Sequence, residues 1–150
     1  SKELPLFILG GGTNILFSDS GFSGVVLRPE ILNLQLLGDT LIVGAGVLMR
    51  DLLSFVIENS LSGLEWAGGL PGTLGGAIRG NAGAFGGEMK DNIFKVRSVK
   101  RVGDGNFIER NNGECKFGYR NSIFKDYCDK GIFIKNQKNN VPLHLKSWSL

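Results

Sequence analysis

Twenty-three of the 150 residues are glycine, about twice the usual share of roughly 7%, and their placement limits what the chain is able to become. They are not dispersed as in a low-complexity segment. Ten fall between Gly63 and Gly87, and three are consecutive at Gly10, Gly11 and Gly12. Ordering glycine costs more backbone entropy than ordering any other residue, so something must approach the backbone closely at these two places. A flexible hinge is the plain alternative for the second place. Interleaved Leu70, Leu74, Ala77, Ile78 and Phe85 argue instead for a packed loop and the start of a helix.

The apolar pattern around the glycines sets the fold class. Leu6-Phe7-Ile8-Leu9 reads as a short buried strand that ends at the glycine triplet, and Val25-Val26-Leu27 and Leu41-Ile42-Val43 read as two more strands. From Val47 to Asn59 the period changes, with Leu48, Leu52, Phe55 and Val56 on one helical face. Past the glycine-rich stretch, residues 93–102 form a half-exposed strand, the Gly103-Asp104-Gly105-Asn106 turn leads back through Phe107-Ile108, and Gly131 to Ile134 is the last strand. Strands and a helix followed by a connector and mostly strands predict an α+β fold rather than a doubly wound parallel sheet.

Forty-two per cent hydrophobic and 21% charged residues describe a globular chain with one real core. A net charge of +3 and a pI near 9.0 without any block of like charges argue against a nucleic-acid groove and for an anionic small ligand. Cys115 and Cys128 match neither a disulfide framework nor a zinc spacing, so no metal is expected. With no secretory signal and no long apolar span, the expected address is the cytoplasm, with no membrane partner and no protein partner inferred.

Gly10-Gly11-Gly12-Thr13-Asn14 after a strand lets a backbone come close to a phosphate and aim several N–H groups at it. A tight turn with no ligand is an equal alternative on this motif alone. Gly10-x-Gly12 lacks the third glycine of a dinucleotide fingerprint, Gly44-x-Gly46 puts Met49 there, and no P-loop exists. Arg120, within Phe117-Gly118-Tyr119-Arg120-Asn121-Ser122, reads either as a guanidinium aimed at a carboxylate or as a surface side chain lying over Tyr119.

Taken in order, Ile8 to Leu16, Gly68 to Glu88 and Phe117 to Phe124 resemble the UDP-N-acetylenolpyruvoylglucosamine reductases, flavoenzymes of peptidoglycan synthesis with an FAD domain of the PCMH, or vanillyl-alcohol-oxidase, type. The resemblance implies that Gly10, Gly11, Gly12, Thr13 and Asn14, together with Pro71, Gly72 and Thr73, enclose the FAD pyrophosphate. It implies that Gly75, Gly76, Asn81, Gly83 and Ala84 also contact the cofactor, the stretch from Asn81 to Glu88 running along the flavin and its ribityl chain. Arg120 matches the family's active-site arginine, which faces the enolpyruvyl carboxylate of the UDP-sugar. NADPH is the implied hydride donor.

The resemblance also implies two small α+β subdomains, residues 1–62 and 63–140, and a tail at 141–150. The family's proton-donating serine and second active-site acid belong to a C-terminal substrate domain that this chain does not include. Ser147, Ser149 and His144 match no motif. The chain is thus expected to be truncated at both ends and catalytically incomplete as it stands. The alternatives are a non-catalytic flavin-binding or interaction module of the same fold and, ranked last, an oxidase or dehydrogenase on another substrate.

Overall fold

The computed structural model describes residues 4–99, 107–126 and 130–135. Strand β1 (Leu6–Ile8) delivers its end to the glycine triplet and pairs in parallel with β2 (Val25–Leu27), Leu6 opposite Val25 and Ile8 opposite Leu27. The Phe7 ring meets Phe17 at 5.3 Å and Phe22 at 5.8 Å, so the intervening segment folds back over the first strand.

The chain then enters a five-stranded antiparallel sheet. Strand β3 (Leu34–Leu37) turns at Gly38 into β4 (Thr40–Gly44), and Gly38 carries φ 61° at the first central position of the two-residue turn, where II′ turns take glycine. Strand β3 is absent from the sequence expectation because its leucines carry no β-branched signal and only alternate residues are half-buried. Helix α1 (Met49–Glu58) starts two residues later than its apolar period. Val47 and Leu48 are held instead by the segment leading into α2 (Leu74–Arg79), through Leu74 N–H to Val47 O at 2.9 Å and Met49 N–H to Gly72 O at 3.0 Å.

A small hairpin follows, β5 (Gly83–Ala84) with β6 (Gly87–Glu88), and then β7 (Lys95–Val99), β8 (Phe107–Asn111), a short helix α3 (Ile123–Asp126) and β9 (Lys130–Lys135). The sheet order is β3-β4-β9-β7-β8. The β7–β8 pairing is the expected hairpin, Val99 opposite Phe107, while its turn lies outside the described residues. So do Cys128, His144, Ser147, Ser149 and the tail at 141–150.

The fold is α+β, as read from the sequence, but the seam expected at residue 62 does not follow the sheets. Strands from both sides of that position share the five-stranded sheet. The change of sheet falls at residues 28–33, because β4 pairs with β9 rather than β2. One core joins the sheet to both longer helices: Val43 and Val96 lie in the same apolar cluster as Met49, Leu52 and Val56 of α1 and Leu74 and Ile78 of α2. Each such side chain contributes about 1.5–3 kcal/mol on full burial. That core is what fixes the start of α2, and with it the glycine loop in front.

Candidate functional site

The two glycine-rich places meet. A Cβ built on Gly11 would lie 2.7 Å from the Gly72 Cα, and one on Gly10 would lie 2.7 Å from the Thr73 Oγ1. Both distances are below any real side-chain contact, so loop 10–14 and turn 71–73 stand backbone against backbone. Gly12 and Gly72 hold φ of 71° and 100°, which L side chains rarely adopt. Among the described residues, no protein acceptor takes the N–H groups of Gly10 to Asn14, or those of Gly72 and Thr73.

The neighbouring glycines serve the protein itself. Gly75 N–H is bound to Ala45 O at 2.9 Å, and a Cβ on Gly75 would press on Ala45 at 3.0 Å. The Thr73 hydroxyl caps α2 by accepting from Gly76 N–H at 3.4 Å. Gly75 and Gly76 thus have their donors engaged, and their contribution is closeness.

The third motif lies at a second place. Gly118 and Asn121 exchange backbone hydrogen bonds of 3.0 and 3.1 Å, leaving Tyr119 and Arg120 at the tip of a tight turn with Arg120 at φ 51°. Arg120 is exposed, its guanidinium carbon 5.8 Å from the Tyr119 ring centre. The surface arrangement weighed in the sequence is therefore present, yet the same residues line a cleft of about 360 Å³ whose wall includes Gly83, Ala84 and Phe85 of the β5–β6 hairpin. Phe85 and Gly86 sit at that hairpin's tip with φ of 49° and 83°, and Phe85 is 91% exposed.

Asn81 is buried beneath this cleft and is hydrogen-bonded at both polar atoms of its side chain and at its backbone N–H. Its amide donates to Glu88 Oε2 and to Gly118 O, each at 2.9 Å, and its Oδ1 accepts from Lys90 N–H at 3.0 Å. Its own N–H goes to Ile78 O at 3.0 Å. The Lys90 ammonium lies 2.8 Å from Glu88. The hydrogen bonds from Lys90 and Asn81 hold the Glu88 carboxyl below its ordinary range, with the Lys90 and Arg120 charges adding to the effect. The same pairing holds Lys90 above its ordinary value.

Residues 1–109 match the family described as FAD binding domain. The chain belongs to the FAD binding domain family. It is 43% identical over 127 residues to the UDP-N-acetylenolpyruvoylglucosamine reductase of Syntrophomonas wolfei, covering 83% of this chain and 42% of that protein. It is 38% identical over 149 residues to the reductase of the same name from Rickettsia akari, covering 97% of this chain and 50% of that protein. The crystal structure of the Thermus caldophilus UDP-N-acetylenolpyruvylglucosamine reductase superposes with a TM-score of 0.76 at 34% identity, over 90% of this chain and 49% of that one. The chain spans about half the length, or less, of these relatives.

Within this FAD binding domain, the expected residues fall into two groups. Gly10, Gly11 and Thr13 meet Gly72, Thr73 and Gly76, and Asn81, Gly83 and Ala84 share the cleft with Arg120. Lys90 was not among the expected site residues, and Glu88 was expected only as the end of the stretch along the flavin, since no sequence period marks a carboxylate whose partners are set by a hairpin fold. Part of the glycine excess has an internal cause. A Cβ on Gly87 would run into the Trp66 indole, whose Nε1 donates to Asn92 Oδ1 at 3.1 Å. Cys115 is buried, and burial pushes its thiol up to about 11, so it is no nucleophile near neutral pH. Among the described residues no helix is long and apolar enough to cross a membrane, and no group of His, Cys, Asp or Glu would hold a metal ion.

Proposed function

We propose that this chain is the FAD-binding part of an NADPH-dependent reductase that converts UDP-N-acetylenolpyruvoylglucosamine to UDP-N-acetylmuramate in cytoplasmic peptidoglycan synthesis. The observation that carries the reading is the backbone-to-backbone approach of residues 10–14 and 71–73 inside a chain of the FAD binding domain family. A surface with no Cβ between the loops, and with N–H groups that no protein acceptor takes among the described residues, suits an anionic diphosphate. Gly10, Gly11, Gly12, Thr13, Asn14, Gly72 and Thr73 hold it in this reading. Gly83 and Ala84 offer backbone to the flavin and its ribityl chain, and Asn81 supports them from below.

FAD, when bound, would supply the redox chemistry between NADPH and the enolpyruvyl double bond. The protein's part is electrostatic. Arg120 faces the enolpyruvyl carboxylate and stabilises the negative charge that develops as hydride adds, by a few kcal/mol per contact. The names and structure of the relatives support the substrate assignment.

The test is a visible absorption spectrum of the purified protein before and after FAD is added and the excess removed. A retained oxidised-flavin band is the expected result. A colourless protein that takes up no FAD overturns the assignment of the two loops as a cofactor cradle.

A further inference from the structure

We propose that Asn81 is a positioning residue which, given the flavin reading above, locks the Arg120 turn to the β5–β6 hairpin so that the guanidinium and the cofactor-facing backbone form one rigid cleft. Arg120 itself is exposed and sits at the tip of a four-residue turn, a place where a side chain is ordinarily mobile. Two anchors fix the backbone that carries it. Before the tip, the Asn81 amide holds Gly118 O at 2.9 Å. After it, the Ser122 hydroxyl donates to Arg79 O at 2.7 Å. Both flanks of the turn are thereby tied to residues 79–81, and the Lys125 ammonium holds Arg120 O at 2.5 Å.

Asn81 is the only one of these anchors that reaches the hairpin as well, through Glu88 and the Lys90 N–H. It is 1% exposed and adopts φ 42°. Glycine, asparagine and aspartate tolerate that conformation, but only asparagine offers two donors and an acceptor in one short plane. Glycine would keep the backbone and lose the lock. Aspartate would keep the acceptor toward Lys90, lose both donors and set a second carboxylate against Glu88.

The test compares Asn81→Gly, Asn81→Asp, Arg120→Gln and the double variant Asn81→Gly/Arg120→Gln with the unaltered protein. Amide hydrogen exchange reads the lock without any cofactor. Lys90 and Asn121 N–H should exchange at least tenfold faster in Asn81→Gly, and Asn121 N–H likewise in Asn81→Asp, which keeps the Lys90 acceptor, while Leu52 N–H in α1 keeps its protection. Unchanged exchange at Lys90 and Asn121 overturns the proposal even if FAD binds.

The midpoint potential of bound FAD reads the positioning, since a fixed cation beside a group that gains electrons raises its potential. Arg120→Gln and Asn81→Gly should each lower it, and the double variant should fall no further than Arg120→Gln alone. Additive lowering, or no lowering by Asn81→Gly, shows that Asn81 does not act through Arg120 and overturns the proposal. Failure of the unaltered protein to bind FAD overturns the flavin reading and the positioning role together, a result separate from the exchange data. If Asn81→Gly loses protection in α1 as well, Asn81→Asp carries the comparison.

Discussion

Replacing Gly11 by alanine isolates the loop approach from every other effect. Gly11 has no positive φ, so alanine brings no backbone strain there, and its side is exposed to solvent. The added Cβ would lie 2.7 Å from the Gly72 Cα and 3.3 Å from the Gly72 carbonyl carbon. Carbon atoms rest at about 3.5–4.0 Å, so the two loops must part by roughly 1 Å. Neither side is a flexible side chain that is able to swing away. A hydrogen bond to a charged group is worth about 1.5–3 kcal/mol, and 1.4 kcal/mol is tenfold in affinity. Losing alignment on one phosphate contact should therefore weaken FAD binding by about 10-fold to 100-fold. Flavin fluorescence titration measures it, with Gly68→Ala as control, since a Cβ there meets nothing closer than 3.5 Å. Wild-type FAD affinity for Gly11→Ala would refute the cradle, provided the control also binds normally.

Three further outcomes are expected. Arg120→Gln, which removes the charge without altering the backbone, should reduce the rate of enolpyruvyl reduction about 100-fold or more in a chain joined to the rest of the reductase, with FAD affinity held within about threefold; near-normal turnover would leave Arg120 a surface residue. Gly87→Ala should lower the unfolding temperature by several degrees, because the methyl meets the Trp66 ring and overpacking costs about 1–3 kcal/mol; a melt that matches the parent protein would contradict the packing. Glu88 titrates lower in the folded chain than its ordinary 4.5, so its contribution is complete above that pH and is lost as pH falls through the depressed folded value. Thermal melts from pH 7 to pH 3 should show Glu88→Gln less stable at pH 7 and the difference closing in acid; a gap that stays constant refutes it.

Much of this protein was legible in its sequence because the signals are local. The apolar face of Leu52 and Val56 makes α1, and a glycine triplet after Leu6 to Leu9 marks a loop that something approaches. These are properties of residues within a few positions of one another, set by sterics and periodicity. The family resemblance extended them to FAD and Arg120, and the family is borne out.

The resemblance paired loop 10–14 with turn 71–73, but only the tertiary structure decided which atoms of the two meet. The partner that approaches Gly11 is Gly72, sixty-one residues away in sequence and brought there by the α1 and α2 core. The same core, with β9 completing the sheet beside β4, ties strands from both sides of residue 62 into one sheet. Nor did sequence distinguish a glycine kept for a ligand from Gly87, kept for Trp66, since both require an atom where a Cβ would be. Asn81 shows the limit most sharply. Its residue type announces a turn, but its three amide partners, Glu88, Lys90 and Gly118, are assembled only when a hairpin and a remote turn close over it, because hydrogen bonds between segments depend on the folded geometry and leave no period in the chain.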